Sequence, residues 1–324
     1  MTIRQHPVAI LVAVAILLGY MLTKALLAGQ FWFHGLAHWV VLARPFPDWG
    51  TGPALYGALL PSKWLGTRAL GAAIGLLAAL TAAFSVRAYH MPALFACEAA
   101  AIELLDTLWL AIGKADGWST AATTQTMTTN LIWVALLLFA AWLLSGLHAR
   151  AVPHAIPREP AGLSTVARFL DRYFIYLCYA VAIAYAGMKL LFAKWWYFDS
   201  IWFWTQAFRP FPDWGTGADL FGALLPARMI GTRNLAFGAF ILFALWYAVK
   251  RHDHRLLALL LLQGAVIELF DGFWLANGKY NAAWVGLDTD FFLNGGFIWV
   301  ADLVLAGTYV LGHDRRHGPD ELVI

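Results

Sequence analysis

The nine residues Arg44-Pro45-Phe46-Pro47-Asp48-Trp49-Gly50-Thr51-Gly52 return unchanged at Arg209 to Gly217, a constant 165 residues later. Across 44–70 against 209–235, 19 of 27 positions are identical. The same offset sets Leu59-Leu60-Pro61 on Leu224-Leu225-Pro226, and Gly66-Thr67-Arg68 on Gly231-Thr232-Arg233. It also sets Glu103 and Asp106 on Glu268 and Asp271, Gly113-Lys114 on Gly278-Lys279, and Lys24 on Lys189. One unit is used twice. Whatever this chain folds into must be built from two copies of the same pattern.

That pattern is apolar. Only 13% of the 324 residues are charged and 61% are hydrophobic, with a mean hydropathy of +0.66. A soluble domain carries about 25% charged residues, so a water-facing surface could not be covered. Several apolar runs approach the ~20 residues that cross a bilayer as a helix. The expected class is an all-α integral membrane protein. The net charge of +3 is small, and no basic patch is interleaved with aromatics, so nucleic acid is not an expected partner. The 17 tryptophans suit the membrane interface. Cys97 and Cys178 lie in apolar runs at non-equivalent repeat positions. They read as buried structural thiols rather than a redox pair.

The spans follow in order. Residues 8–28 resemble a signal peptide, but they align with the internal run 173–193 and therefore read as a retained helix. Residues 29–43 are aromatic and too short to span, which suggests an interfacial or re-entrant helix. Spans at 66–86, 91–112 and 129–148 complete a first four-helix repeat over 1–149. A polar linker at 150–171 carries Pro153, Pro157 and Pro160 with Arg150, Arg158 and Arg168. The second repeat occupies 172–316, with spans at 173–193, 231–249, 255–276 and 295–313 and an aromatic segment at 195–207; the tail is 317–324.

Eight spans place both termini on one side of the membrane. The basic residues that are not duplicated gather there: the linker, the 87–90 turn, Lys250-Arg251 and Arg315-Arg316. The positive-inside rule makes that side cytoplasmic, in a bacterial inner membrane. Four spans per unit is even, so the copies share one orientation, with a pseudo-two-fold axis along the membrane normal.

The third span of each unit holds the candidate catalytic residues, Glu103 and Asp106 with Glu268 and Asp271. Acids three apart share a helical face, and an acid in lipid costs roughly 2.5–3.5 kcal/mol unless paired, protonated or hydrated. They suggest a polar cavity opening outward. The alternative is a structural lock in which Arg68 pairs with Asp106 of the same copy. Candidate ligand-binding residues are Arg44, Asp48, Trp49, Arg68 and Lys114, with their equivalents Arg209, Asp213, Trp214, Arg233 and Lys279. For the loop from Arg44 to Gly52, a re-entrant turn capped by Asp48 and anchored by Trp49 is the simpler reading. Lys24 and Lys189 read first as snorkelling to head groups, and second as counter-ions of Glu103 and Glu268. His34 and His38 have ligand spacing, yet their equivalents are Asp199 and Phe203, so no metal site is expected. The residues imply no particular cofactor.

Gly187-Met188-Lys189 closing a first span, Leu-Leu-Pro before the second and Glu268 in the third form a pattern. It resembles the DoxX-like superfamily of small four-helix bacterial inner-membrane proteins, here duplicated in tandem. The resemblance implies the four-helix fold and a link to quinone-coupled or thiol redox systems.

Three functions follow. The first is a non-catalytic protein of the bilayer that binds a lipophilic molecule, such as a quinone or isoprenoid lipid, or a larger membrane-protein complex. The second is an intramembrane acid/base enzyme of isomerase or cyclase type acting on a lipid or isoprenoid. The third is a proton-coupled transporter, which the increasingly apolar inner halves of the spans disfavour.

Overall fold

The computed structural model describes residues 7–42, 51–86, 88–117, 120–146, 165–207, 217–251, 253–281 and 289–317. All regular structure among them is helical: α1 (Pro7–Phe33), α2 (Gly35–Leu42), α3 (Gly52–Val86), α4 (His90–Ala115), α5 (Ala121–Ser145), α6 (Thr165–Phe198), α7 (Ser200–Ala207), α8 (Gly217–Arg251), α9 (Arg255–Asn281) and α10 (Thr289–His317). Seven of these, all except α2, α4 and α7, are long and apolar enough to cross a membrane. The chain is a polytopic, multi-pass membrane protein. Helix α4 has the length for an eighth span, but Glu98, Glu103 and Asp106 make it less apolar.

The helices are longer than the apolar runs implied. The expected span 66–86 is the distal part of α3, which starts at Gly52 and runs through Pro61; α8 does the same through Pro226. Proline removes one backbone donor and normally breaks a helix, but neighbouring helices in a membrane protein tolerate it. The aromatic stretch 29–43 is not one re-entrant helix. Its first residues finish α1, the chain bends at His34, and α2 follows. Helix α6 begins at Thr165, inside the stretch read as linker.

The ends of these elements are tied to each other. The last turn of α1 leaves carbonyls without helical partners. Ser62 Oγ donates to the Phe31 carbonyl at 3.1 Å and Lys63 Nζ to the Trp32 carbonyl at 2.8 Å. Trp32 Nε1 returns a bond to the Lys63 carbonyl at 3.0 Å. Thr120 and Thr123 form a reciprocal capping box at the start of α5, and Thr123 Oγ1 also donates to the Leu42 carbonyl at 2.5 Å, holding the end of α2.

Helices α3, α8 and α9 bury more than half of their spanning residues, whereas α1, α5, α6 and α10 bury a third or less. The former build the interior with α4, and the latter ring it. Contacts between the two sequence halves run through α3 with α8 and α9, and through α4 with α8. The apolar interior is divided in two. One cluster, including Trp39, Leu60, Trp64, Leu65, Leu110, Trp196, Met229 and Trp274, lies at the end where α3 and α8 begin. The other, including Leu17, Leu80, Met91, Leu144, Leu256 and Val310, lies at the opposite end. Between them sits a layer of buried charge.

Cys178 is buried, but Cys97 is exposed on α4, which corrects the expectation for the pair. In a membrane an apolar run can face lipid, so hydrophobic neighbours do not imply burial inside the protein.

Candidate functional site

The charged layer is assembled from four ion pairs. On α1, Tyr20 and Lys24 are one helical turn apart and share a face. Tyr20 Oη donates to Glu103 Oε1 at 2.8 Å, and Lys24 Nζ pairs with the same oxygen. The second half repeats this with Tyr185, Lys189 and Glu268. Tyr185 Oη donates to Glu268 Oε1 at 2.9 Å, and Lys189 pairs with that oxygen. Lys24 and Lys189 are therefore counter-ions within the interior, 7% and 2% exposed, and do not snorkel. The acids hold them there, because an ammonium buried without a partner is too costly to keep.

The arginines cross between halves. Arg68 Nη1 on α3 donates to Asp271 Oδ2 on α9 at 2.8 Å. Arg233 on α8 grips Asp106 on α4 with both terminal nitrogens, at 2.8 and 3.1 Å. The expected pairing of Arg68 with Asp106 of its own copy is thus replaced by a reciprocal exchange. Each guanidinium also returns a bond to its own helix: Arg68 Nη1 to the Trp64 carbonyl at 3.0 Å, and Arg233 Nη1 to the Met229 carbonyl at 2.9 Å. Arg68 Nε lies 3.4 Å from Asn234 Oδ1. Four cations meet four carboxylates, so the layer balances its own charge, as buried ions require.

Beside this layer lies a cavity of about 650 Å³, counting the space open to the outside. Lys24, Lys189, Arg68, Arg233, Tyr20 and Asn234 line it at the level of the charges. Beyond them the walls turn apolar, with Leu76, Phe95, Ile102, Phe237 and Ile267, and two further polar side chains, Glu98 and Gln263. Both halves contribute to this one cavity. It extends away from the ends of α3 and α8 that follow the signature loops, and the loops that would frame the expected outward-opening mouth lie outside the described residues. Among the described residues, Trp64, Trp196 and Trp274 pack the interior toward those helix ends. Past Gln263, the fully buried Leu256, Leu257, Leu260 and Leu261 close the other side.

Other expected site residues lie elsewhere. Lys114 is exposed at the end of α4, where its Nζ donates to Thr124 Oγ1 at 3.2 Å. Lys279 pairs with Asp290. Neither joins the charged layer, although Lys114 lies near the helical stripe of Glu103; extra turns of α4 carry it past the cluster. Arg44, Asp48, Trp49, Arg209, Asp213 and Trp214 lie outside the described residues. Among the described residues, no group of three or more His, Cys, Asp or Glu side chains is placed to hold a metal ion.

Two groups outside the spans have shifted acidities. Burial pushes the Asp253 carboxyl up, but the hydrogen bond and charge of His90, with Arg255, outweigh it and hold the group below its usual value. His90 Nε2 lies 3.3 Å from Asp253 Oδ2, joining the start of α4 to the α8–α9 turn. Burial alone holds His38 below its usual value.

The sequence reading missed Tyr20 and Tyr185, although the 165-residue offset pairs them. It also missed Glu98 and Gln263, which the offset pairs as unlike residues. Chemically, Glu103, Asp106, Glu268 and Asp271 are each committed to a cation, which suits holding the bundle together better than passing protons. No family model, curated protein or solved structure matches this chain.

Proposed function

We propose that this is a bacterial inner-membrane protein that binds a lipophilic small molecule in the cavity between two tandem four-helix repeats. In this reading α4 is the eighth span, its carboxylates Glu103 and Asp106 being neutralised by Lys24 and Arg233. The repeats share one orientation about a pseudo-two-fold axis along the membrane normal, with the linker and both termini in the cytoplasm. The reciprocal ion pairs support that symmetry, since an exchange of partners is what a two-fold axis produces. The DoxX-like resemblance is kept as the expected fold family.

The observation that carries the binding function is the cavity itself. Its mostly apolar walls, drawn from both halves and carrying a few polar side chains, are the usual lining of a small-molecule site. Catalysis is less well supported because the duplicated acids are already paired. Transport is less well supported because packed side chains lie on both sides of the cavity.

The test is native mass spectrometry of the protein released from mild detergent. The wild type should retain a small molecule at about one copy per chain, and Ala72→Phe, which fills the cavity from α3, should lose it. Equal retention by both would place the molecule on the lipid-facing surface and remove the proposal.

A further inference from the structure

Glu98 projects from α4 into the cavity wall and makes no hydrogen bond or ion pair with any described residue. Every other charged side chain lining the cavity belongs to an ion pair. Gln263, at the position equivalent to Glu98, is 6% exposed, and its Oε1 has no hydrogen-bond partner. The amide packs against Gly75, where even a methyl group would come within 2.8 Å of that oxygen. Each of the two residues stands five positions before the paired glutamate of its helix, Glu103 or Glu268. At ~1.5 Å per residue they lie about 7.5 Å deeper than those glutamates. The cavity thus has a self-neutralised charged end and, past Ile102, Phe237 and Ile267, an end where Glu98 and Gln263 offer unpaired acceptors among Leu76 and Phe95.

Resting on the binding function above, we propose that Glu98 and Gln263 form the subsite for the cationic amine of a lipophilic ligand. A primary ammonium has three donors and one positive charge. It can give one hydrogen bond to the Glu98 carboxylate and one to Gln263 Oε1, and its charge supplies the counter-ion that a carboxylate in an apolar wall lacks. The apolar belt takes the hydrocarbon body. The carboxylates of the charged layer are already paired with Lys24, Lys189, Arg68 and Arg233, so the amine points to the Glu98 end. A carboxylate ligand would meet Glu98 with like charge.

The test uses the full-length protein in lipid nanodiscs and three probes of one chain length: octylamine, octanol and octanoate. Octylamine should raise the thermal midpoint of the wild type saturably. Glu98→Gln should weaken its apparent affinity about tenfold or more, the scale expected for losing a buried charge partner. The substitution keeps the side-chain shape and removes an unpaired acid from the cavity wall, so the variant should fold at least as well as the wild type. Gln263→Glu, which adds a second carboxylate, should tighten octylamine. An equal response of wild type and Glu98→Gln to octylamine overturns the subsite. Saturable octanoate or octanol binding that exceeds octylamine and is lost in Ala72→Phe overturns the amine while leaving the cavity function intact. No saturable effect of any probe on the wild type overturns both.

Discussion

The crossed arginines make a specific statement about which side chains depend on each other. Removing one partner of a buried ion pair typically costs about 3–5 kcal/mol, because the other charge is left uncompensated, while replacing both by apolar residues can be near neutral. Arg68→Met should therefore lower the unfolding midpoint in detergent sharply. Adding Asp271→Leu should recover most of the loss, and adding Asp106→Leu should deepen it by stranding Arg233. Recovery by Asp106→Leu in place of Asp271→Leu would show that pairing stays within each half. The identities of these residues were legible in the sequence, because a constant offset repeats Lys24, Arg68, Glu103 and Asp106. Their partners were not. Two copies can satisfy the same charges within themselves or by exchange, and only their docking decides. Glu98 was illegible for another reason: its equivalent Gln263 carries no charge, so a search for duplicated acids passes over both.

Among the helices, close approach is set by glycine at particular positions. A methyl group at Gly66 on α3 would lie 2.7 Å from the Trp32 ring and 2.9 Å from the Ala28 carbonyl oxygen of α1. The ring can turn but the backbone cannot, so Gly66→Ala must push α1 away from α3. A cost of roughly 1–3 kcal/mol, typical of overpacking, should be read as a lower thermal midpoint. Gly29→Ala is the control on α1 itself: nothing lies within 4 Å of its would-be methyl group, and alanine's better helix propensity should leave stability unchanged or raised. Seven spans and their order could be read from hydropathy, but helix ends could not. Hydropathy marks what lies in lipid. In the first fourteen residues of α3, Ser62 and Lys63 bond to the end of α1 and Tyr56 to α9, and their mixed polarity hid them from that reading. Exposed Cys97 shows the same limit from the other side, since lipid and protein interior look alike in an apolar sequence.

At the scale of the molecule, the proposed orientation puts the linker in the cytoplasm. A protease site inserted after Ala155 should be cut in inside-out membrane vesicles and protected in right-side-out ones; the opposite pattern would reverse the topology. The exchange of arginines carries one more implication. Neither half is electrically self-sufficient, since each lends a guanidinium and borrows a carboxylate. Two identical first halves could trade in the same way, Arg68 of each reaching Asp106 of its twin. The single polypeptide can thus be regarded as a homodimer soldered into one strand, which frees its subunits to become different where one carries Glu98 and the other Gln263.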